Sequence, residues 1–319
     1  MRSVLIVALT LVAAANAVAQ TAFPSRPVTL VVGFAPGGGT DIAARIIAKQ
    51  LAAELGQQVV VENRAGAGGN IATGAVARAA PDGYLISLAT ISSLTVQPHL
   101  NSKLPYDPRR DLAPLTMGVV FANVLVVHPS VPATTVAEFV ALAQAKPDTI
   151  GYGTSGIGTT GHLAGELFRM MAKAPIVHVP YKGGGPAMTD LLGGQIPSSF
   201  ASAPSALPHV KAGKIRALAT TGAARSSFLP DVPTIAESYP GYEATNWYAF
   251  VAPAKTPKDV VAQLNRQLVK VLSTPTVREQ LLANGMEPHP STPEELARYM
   301  EREFETWGRV VKEAGIQAE

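Results

Sequence analysis

The run "VTLVVGFAPGGGTDIAARIIAKQLAAEL" (Val28–Leu55) holds a strand, a turn and a helix in succession. Its β-branched opening, Pro27 to Phe34, predicts a buried strand, and its Ala/Leu-rich second half, from about Thr40 to Leu55, predicts a helix. Gly37, Gly38 and Gly39 join the two. A strand feeding a helix through such a turn is the elementary unit of an α/β sheet. The turn also lets a ligand approach the main chain closely, at the positive end of a helix dipole. The phosphate-loop pattern G-x-x-x-x-G-K-[ST] fits Gly33, Gly38 and Thr40, but Gly39 stands where the lysine belongs. Without that cation a triphosphate lacks its main charge partner, whereas a carboxylate is held by amide N–H groups and the helix terminus.

Outward from this unit the alternation continues. Strand "QVVVE", glycine-rich "NRAGAGGN", helix "IATGAVARAA", turn "PDGY" and strand "LISLAT" lead into the proline-rich "NSKLPYDPRRDLAP" and two apolar runs ending in "NVLVVHPS". From Val136 it restarts, with strands near "TIGYG", "IVHVPY", "IPSSF" and "IRALATT" separated by helical runs. A last strand, "NWYAFVAP", precedes an amphipathic helical tail from Pro257 that needs an apolar surface and is expected to pack back on the first unit. The expectation is an α/β protein of two lobes, 20–124 with 247–319 as a discontinuous first and 125–246 as the second. Two strands, near "VVFANVLVV" and "NWYAFV", cross between the lobes as a hinge. Small ligands bind in the crevice at strand C-termini of such sheets. The alternative is one continuous sheet with a helical appendage.

The N-terminal "MRSVLIVALTLVAAANAVAQ" combines Arg2, an apolar stretch from Val4 to about Ala15 and the small-x-small site Ala17, Val18, Ala19. This pattern predicts a secretory signal peptide over residues 1–19, cleaved after Ala19, and a periplasmic mature chain. The apolar stretch is short for a membrane anchor. A chain of 319 residues with 47% hydrophobic residues has enough apolar material for two cores. With no cysteine, thiol chemistry and thiolate metal sites are excluded. The formal charge is +3 with Lys and Arg scattered, which argues against a nucleic-acid partner.

A second glycine loop, "GTSGIGTTGHL" (Gly153–Leu163), also lies between a predicted strand and a predicted helix. Gly156, Gly158 and Gly161 satisfy G-x-G-x-x-G, but the next strand ends "HVPYKGG", without the acidic residue a dinucleotide's ribose requires. No cofactor is expected. Pairing the loops is more economical: one helix N-terminus from each lobe grips an anion in the shared crevice, with the hydroxyls of Thr40, Ser155, Thr159 and Thr160 as further donors.

The segments "PSRPVTLVVGFAPGGGTDIAAR", "VVVENRAGAGGNIAT", "PDGYLISLAT", "GTSGIGTTGHLAGELF", "HVPYKGGGPAMTDLLGGQI", "ALPHVKAGKIRALATT" and the closing "STPEELARYMEREFETWGRVVKEAGI" together resemble the substrate-binding proteins of tripartite tricarboxylate transporters, the Bug receptors. The resemblance covers essentially the whole mature chain. It implies a two-domain periplasmic-binding-protein fold of the Venus-flytrap, type II-like kind. It also implies a monomeric receptor for a small organic carboxylate, some members handing it to a membrane permease of large and small transmembrane subunits. By the same resemblance the ligand lies between Phe34, Ala35, Pro36, Gly37, Gly38, Thr40 and Asp41 on one side and Ser155, Gly156, Gly158, Thr159 and Thr160 on the other. Many relatives carry an acidic residue where this chain has Ala201 and Ser202, so a ligand without a positive charge is expected.

Asp41 falls in the first helical turn, where a carboxylate complements the dipole. Ser92 and Ser93 follow "LISLAT" at a crevice-facing position. His162 and Glu166 have helical i, i+4 spacing but no third ligand, so no metal is expected. Lys182 suits either a cationic ligand contact or a solvated surface, and Trp247 hinge packing. An exported hydrolase is the rival class. It lacks its marks here: "GTSGI" departs from G-x-S-x-G, and no lysine follows a serine by three positions. A receptor serving a sensor kinase is a third reading.

Overall fold

The computed structural model describes residues 23–313. The expected signal segment lies outside them. Strands β1 (Val28–Val32), β2 (Val59–Asn63) and β3 (Leu85–Thr90) are parallel in the order β2-β1-β3, linked by helices α1 (Gly39–Leu55) and α2 (Asn70–Ala77). Helix α1 is rich in strong helix formers and stops at Gly56, whose φ of 65° closes the helix in the left-handed region. Its buried stripe includes Ala43, Ile47, Ala48 and Leu51, at the spacing of one helical face. Each fully buried Ile or Leu contributes about 1.5–3 kcal/mol.

After β3 the chain makes one π-helical turn, Ser92–Val96, then the short helices α3 (Gln97–Leu100) and α4 (Pro108–Asp111). It next enters β4 (Leu112–Val127), one sixteen-residue strand where the sequence suggests two runs. β4 changes partners along its length. Residues Leu112 to Ala122 run antiparallel to β9 (Thr245–Pro253), and residues Asn123 to Val127 antiparallel to β7 (Ser198–Ser202). β8 (Arg216–Thr220) flanks the same distal part. The chain leaves along β4 and returns along β9, so these two strands oppose each other while the crossover units stay parallel.

The second parallel group is β6-β5-β7, with β5 (Ile150–Thr154) and β6 (Ile176–Pro180). Helices α5 (Val136–Ala145), α6 (Thr160–Ala172), α7 (Gly184–Leu192) and α8 (Ala203–Lys211) accompany it. Phe139, Tyr152, Phe168, Phe200 and Tyr242 fill a core drawn wholly from this part of the chain. The tail returns to the other side: α9 (Lys258–Ser273) packs on α1 and β4, and α10 (Pro275–Ala283) on α1. After the short β10 (Glu287–Pro288), α11 (Pro293–Glu313) covers β4 and the π-helical turn. Trp247 is fully buried there and donates Nε1–H to Glu303 at 3.0 Å.

Candidate functional site

The C-terminal ends of β1, β3, β5 and β7 converge on one cavity between the two halves. Its lining includes Gly38, Gly39 and Thr40 at the start of α1, and Thr159, Thr160 and Gly161 at the start of α6. Gly184 at the start of α7 and Ser202 just before α8 complete this wall. Four helix N-termini therefore meet at one space, and none of the four carries a side-chain cap. Each leaves backbone N–H groups without an intrahelical partner and carries the equivalent of about half a positive charge.

The other wall is made by the crossing strands and the end of β3. Thr90, Ser92, Asn123, Asn246 and Tyr248 line it, with Ile91 and Phe200 as apolar neighbours. Every lining residue is uncharged. Four side-chain atoms on this wall, Thr90 Oγ1, Ser92 Oγ, Asn123 Nδ2 and Asn246 Oδ1, are buried without a protein partner. Buried polar atoms are ordinarily hydrogen-bonded, so such a concentration makes this cavity the candidate binding site. Tyr248 is buried, which pushes its phenol pKa up despite the hydrogen bond to Thr40, and it stays a neutral donor.

A second, wider cavity shares Phe34 and Ser155 with the first. Gly66, Gly68, Asn70, Gln97, Gly156 and Lys182 are among its lining. The halves touch around it. Ala35 N–H donates to the Lys182 carbonyl at 3.0 Å, and Gln97 Nε2 donates to the Ile157 carbonyl at 2.7 Å. Asn70 Nδ2 donates to Gln97 Oε1 at 3.1 Å and aims that side chain.

Of the residues singled out in the sequence, Phe34, Gly38, Thr40, Ser92, Ser155, Thr159 and Thr160 line the smaller cavity, and Gly156 lines the wider one. Ala35 and Pro36 abut Gly183 and Gly185 of the opposite half. Gly37, Asp41, Ser93, Gly158 and Ala201 line neither. Their polar groups serve their own loops. Gly37 N–H donates to Asp41 Oδ2 at 3.0 Å, and Gly158 N–H to His162 Nδ1 at 3.1 Å. The Ser93 hydroxyl accepts from Thr73 at 2.9 Å and donates to the Thr90 carbonyl. Ala201 is packed among core side chains, and Ser202 beside it faces the cavity instead.

Asp41 is turned from the cavity into a network with Arg45 Nε and Asn63 Nδ2, each at 3.0 Å. Burial alone raises its pKa, but the Arg45, Gly37 and Asn63 hydrogen bonds outweigh it and hold the carboxyl below its ordinary value. The His162 ring stacks on His178 at 4.0 Å, while Glu166 accepts from Tyr152 at 2.7 Å and from Arg169 at 2.9 Å. Burial, with His162 alongside, holds His178 neutral with a pKa of about 3. Lys182 is exposed at the rim of the wider cavity.

Thr90, Asn123, Gly184, Asn246 and Tyr248 were not anticipated. Thr90 ends a strand, and the two asparagines interrupt apolar runs at the expected crossings. "YKGGGPA" repeats the triple glycine of "FAPGGGTD" after a strand, a signal for the third helix terminus.

The family model for the tripartite tricarboxylate transporter family receptor matches residues 43–316. Protein BugT of Bordetella pertussis is 38% identical over 302 residues, covering 94% of this chain and 93% of that protein. Among solved structures, an R. palustris protein with adipate superposes with a TM-score of 0.90 at 38% identity, covering 92% of this chain and 99% of that one. MatC from Rhodopseudomonas palustris with bound malate gives a TM-score of 0.86 at 33% identity, covering 91% and 100%. The two-lobed periplasmic-binding-protein architecture with a crossing-strand hinge is thus shared.

Proposed function

The chain belongs to the tripartite tricarboxylate transporter receptor family, and from that premise we propose that it is a periplasmic receptor whose two lobes shut on a small dicarboxylate for delivery to a membrane permease of large and small transmembrane subunits. The division expected from the sequence, 20–124 with 247–319 against 125–246, is supported by the point at which β4 exchanges β9 for β7. The observation that carries the reading is the meeting of four uncapped helix N-termini at a cavity without a charged side chain. Together they amount to about two positive charge equivalents, enough to balance a dianion. Main-chain amides hold it in a space shielded from water, where hydrogen bonds to an ion are strong. The adipate and malate of the two related structures are both dicarboxylates.

Binding is the role this arrangement supports, not turnover. Neutral hydroxyls, amides and carboxamides line the cavity, and none is a general base or an activated nucleophile. A single chain encloses the whole cavity, so a monomer suffices. Among the described residues no helix is long and apolar enough to cross a membrane, consistent with a receptor that meets its permease at the membrane surface.

Calorimetry and thermal unfolding with C3 to C6 mono- and dicarboxylates and their amides test this. Carboxylates should bind one to one and raise the midpoint, while the corresponding amides leave it unmoved. Equal binding of acid and amide, or no binding across the panel, overturns the reading.

A further inference from the structure

We infer that Asn123 and Asn246, the carboxamide pair where β4 and β9 pass between the halves, read a hydroxyl on the ligand, so that the receptor prefers a hydroxy-carboxylate to its deoxy and keto counterparts. This rests on the carboxylate reading above and deepens it.

Both asparagines are buried, Asn123 at 1% and Asn246 at 6% exposure, and both line the smaller cavity. The main chain holds Asn123 in place: its N–H donates to Thr221 Oγ1 at 2.9 Å, and its carbonyl accepts from Thr221 N–H at 3.0 Å. The side chains meet each other, Asn246 Nδ2 donating to Asn123 Oδ1 at 3.5 Å. One donor, Asn123 Nδ2, and one acceptor, Asn246 Oδ1, remain without a protein partner. Exchanging oxygen and nitrogen in both amides leaves the same inventory, one donor and one acceptor.

That inventory discriminates among ligand groups. A carboxylate or a ketone only accepts, so it meets the free carboxamide N–H but leaves the carboxamide oxygen unmatched and repelling it. A methylene satisfies neither atom and leaves both desolvated. An ammonium group donates, but no carboxylate lines the cavity to balance its charge. A hydroxyl donates to one carboxamide and accepts from the other, completing both at once. The helix termini on the opposite wall supply donors for the carboxylates, so the two walls recognise different parts of one molecule.

The test is calorimetry of the full mature chain against matched sets: lactate, propionate and pyruvate; malate and succinate; 2-hydroxyglutarate, glutarate and 2-oxoglutarate, with both enantiomers of each hydroxy acid. In the set that fits the cavity, one hydroxy acid should bind at least about tenfold tighter than its counterparts. Asn246→Leu should bring the members of that set within about threefold of each other, chiefly by weakening the hydroxy acid. Equal wild-type affinities for a hydroxy acid and its deoxy or keto counterpart overturn this inference while leaving the carboxylate reading intact. So does a preference that survives in a folded Asn246→Leu protein. Failure of every acid to bind overturns both. The wild-type ratios decide the matter even if the variant does not fold.

Discussion

Asp41 lies beside the site without facing into it. Its carboxylate joins Gly37 N–H, Arg45 and Asn63, and Asn63 also donates to the Phe34 carbonyl at 2.9 Å, so one acidic side chain fixes both ends of the first glycine loop. Asp41→Ala leaves these donors unmatched and should lower stability by about 1–3 kcal/mol in urea unfolding. Because folding lowers the carboxyl pKa, this contribution is present above the ordinary aspartate range and is lost as pH falls through the folded value. The gap between wild type and variant should therefore narrow in acid. A variant as stable as wild type at neutral pH would show that the network contributes nothing. At this scale the sequence was only partly legible. Thr40, Thr159 and Thr160 follow from their place in the turns, whereas the roles of Ser92 and Ser93 depend on which of two neighbouring hydroxyls the π-helical turn rotates inward.

Among the elements, the strand-to-helix turns carry the site. The loop spanning residues 35–38 presses its main chain against residues 182–185 across the cleft, and a Cβ on Gly185 would run into the Pro36 carbonyl oxygen. Gly185→Ala suits a helical position and leaves each lobe's own packing alone, but it places a methyl group between the closing surfaces. Apo stability should change little, while dicarboxylate affinity falls by about tenfold or more, read by calorimetry. Retained affinity would mean that the two loops separate in the liganded state. Gly37 is a poorer site for such a test: its φ of +79° makes any side chain strained before closure is considered. Strands and helices were readable from the alternation of apolar runs. The exception is β4, whose Pro114 and Gly118 interrupt the pattern and suggest separate runs where register shifts let one strand continue.

For the whole molecule, the return of the tail was legible because an amphipathic tail without a core of its own needs a surface, and α9, α10 and α11 find it on α1, β4 and the π-helical turn. The relative placement of the loops was not. Contact between residues near 35 and near 185 depends on how far the lobes rotate about β4 and β9, which no local pattern encodes. The +3 formal charge is spread over the chain and absent from the cavity lining, so attraction to a dianion is short-ranged. Raising salt from about 20 to 300 mM should change the dissociation constant by less than about threefold, since a buried anion among fixed dipoles is little screened. A tenfold or larger loss would point to a cation at the rim, with Lys182 the first candidate.

On the proposed reading the anion is grasped by peptide groups common to every amino acid, so point replacements on the crossing strands would alter which acid is chosen without erasing the capacity to hold one. In such a receptor a new dietary preference would need edits only to the floor of the chamber, with the clasp left as it is.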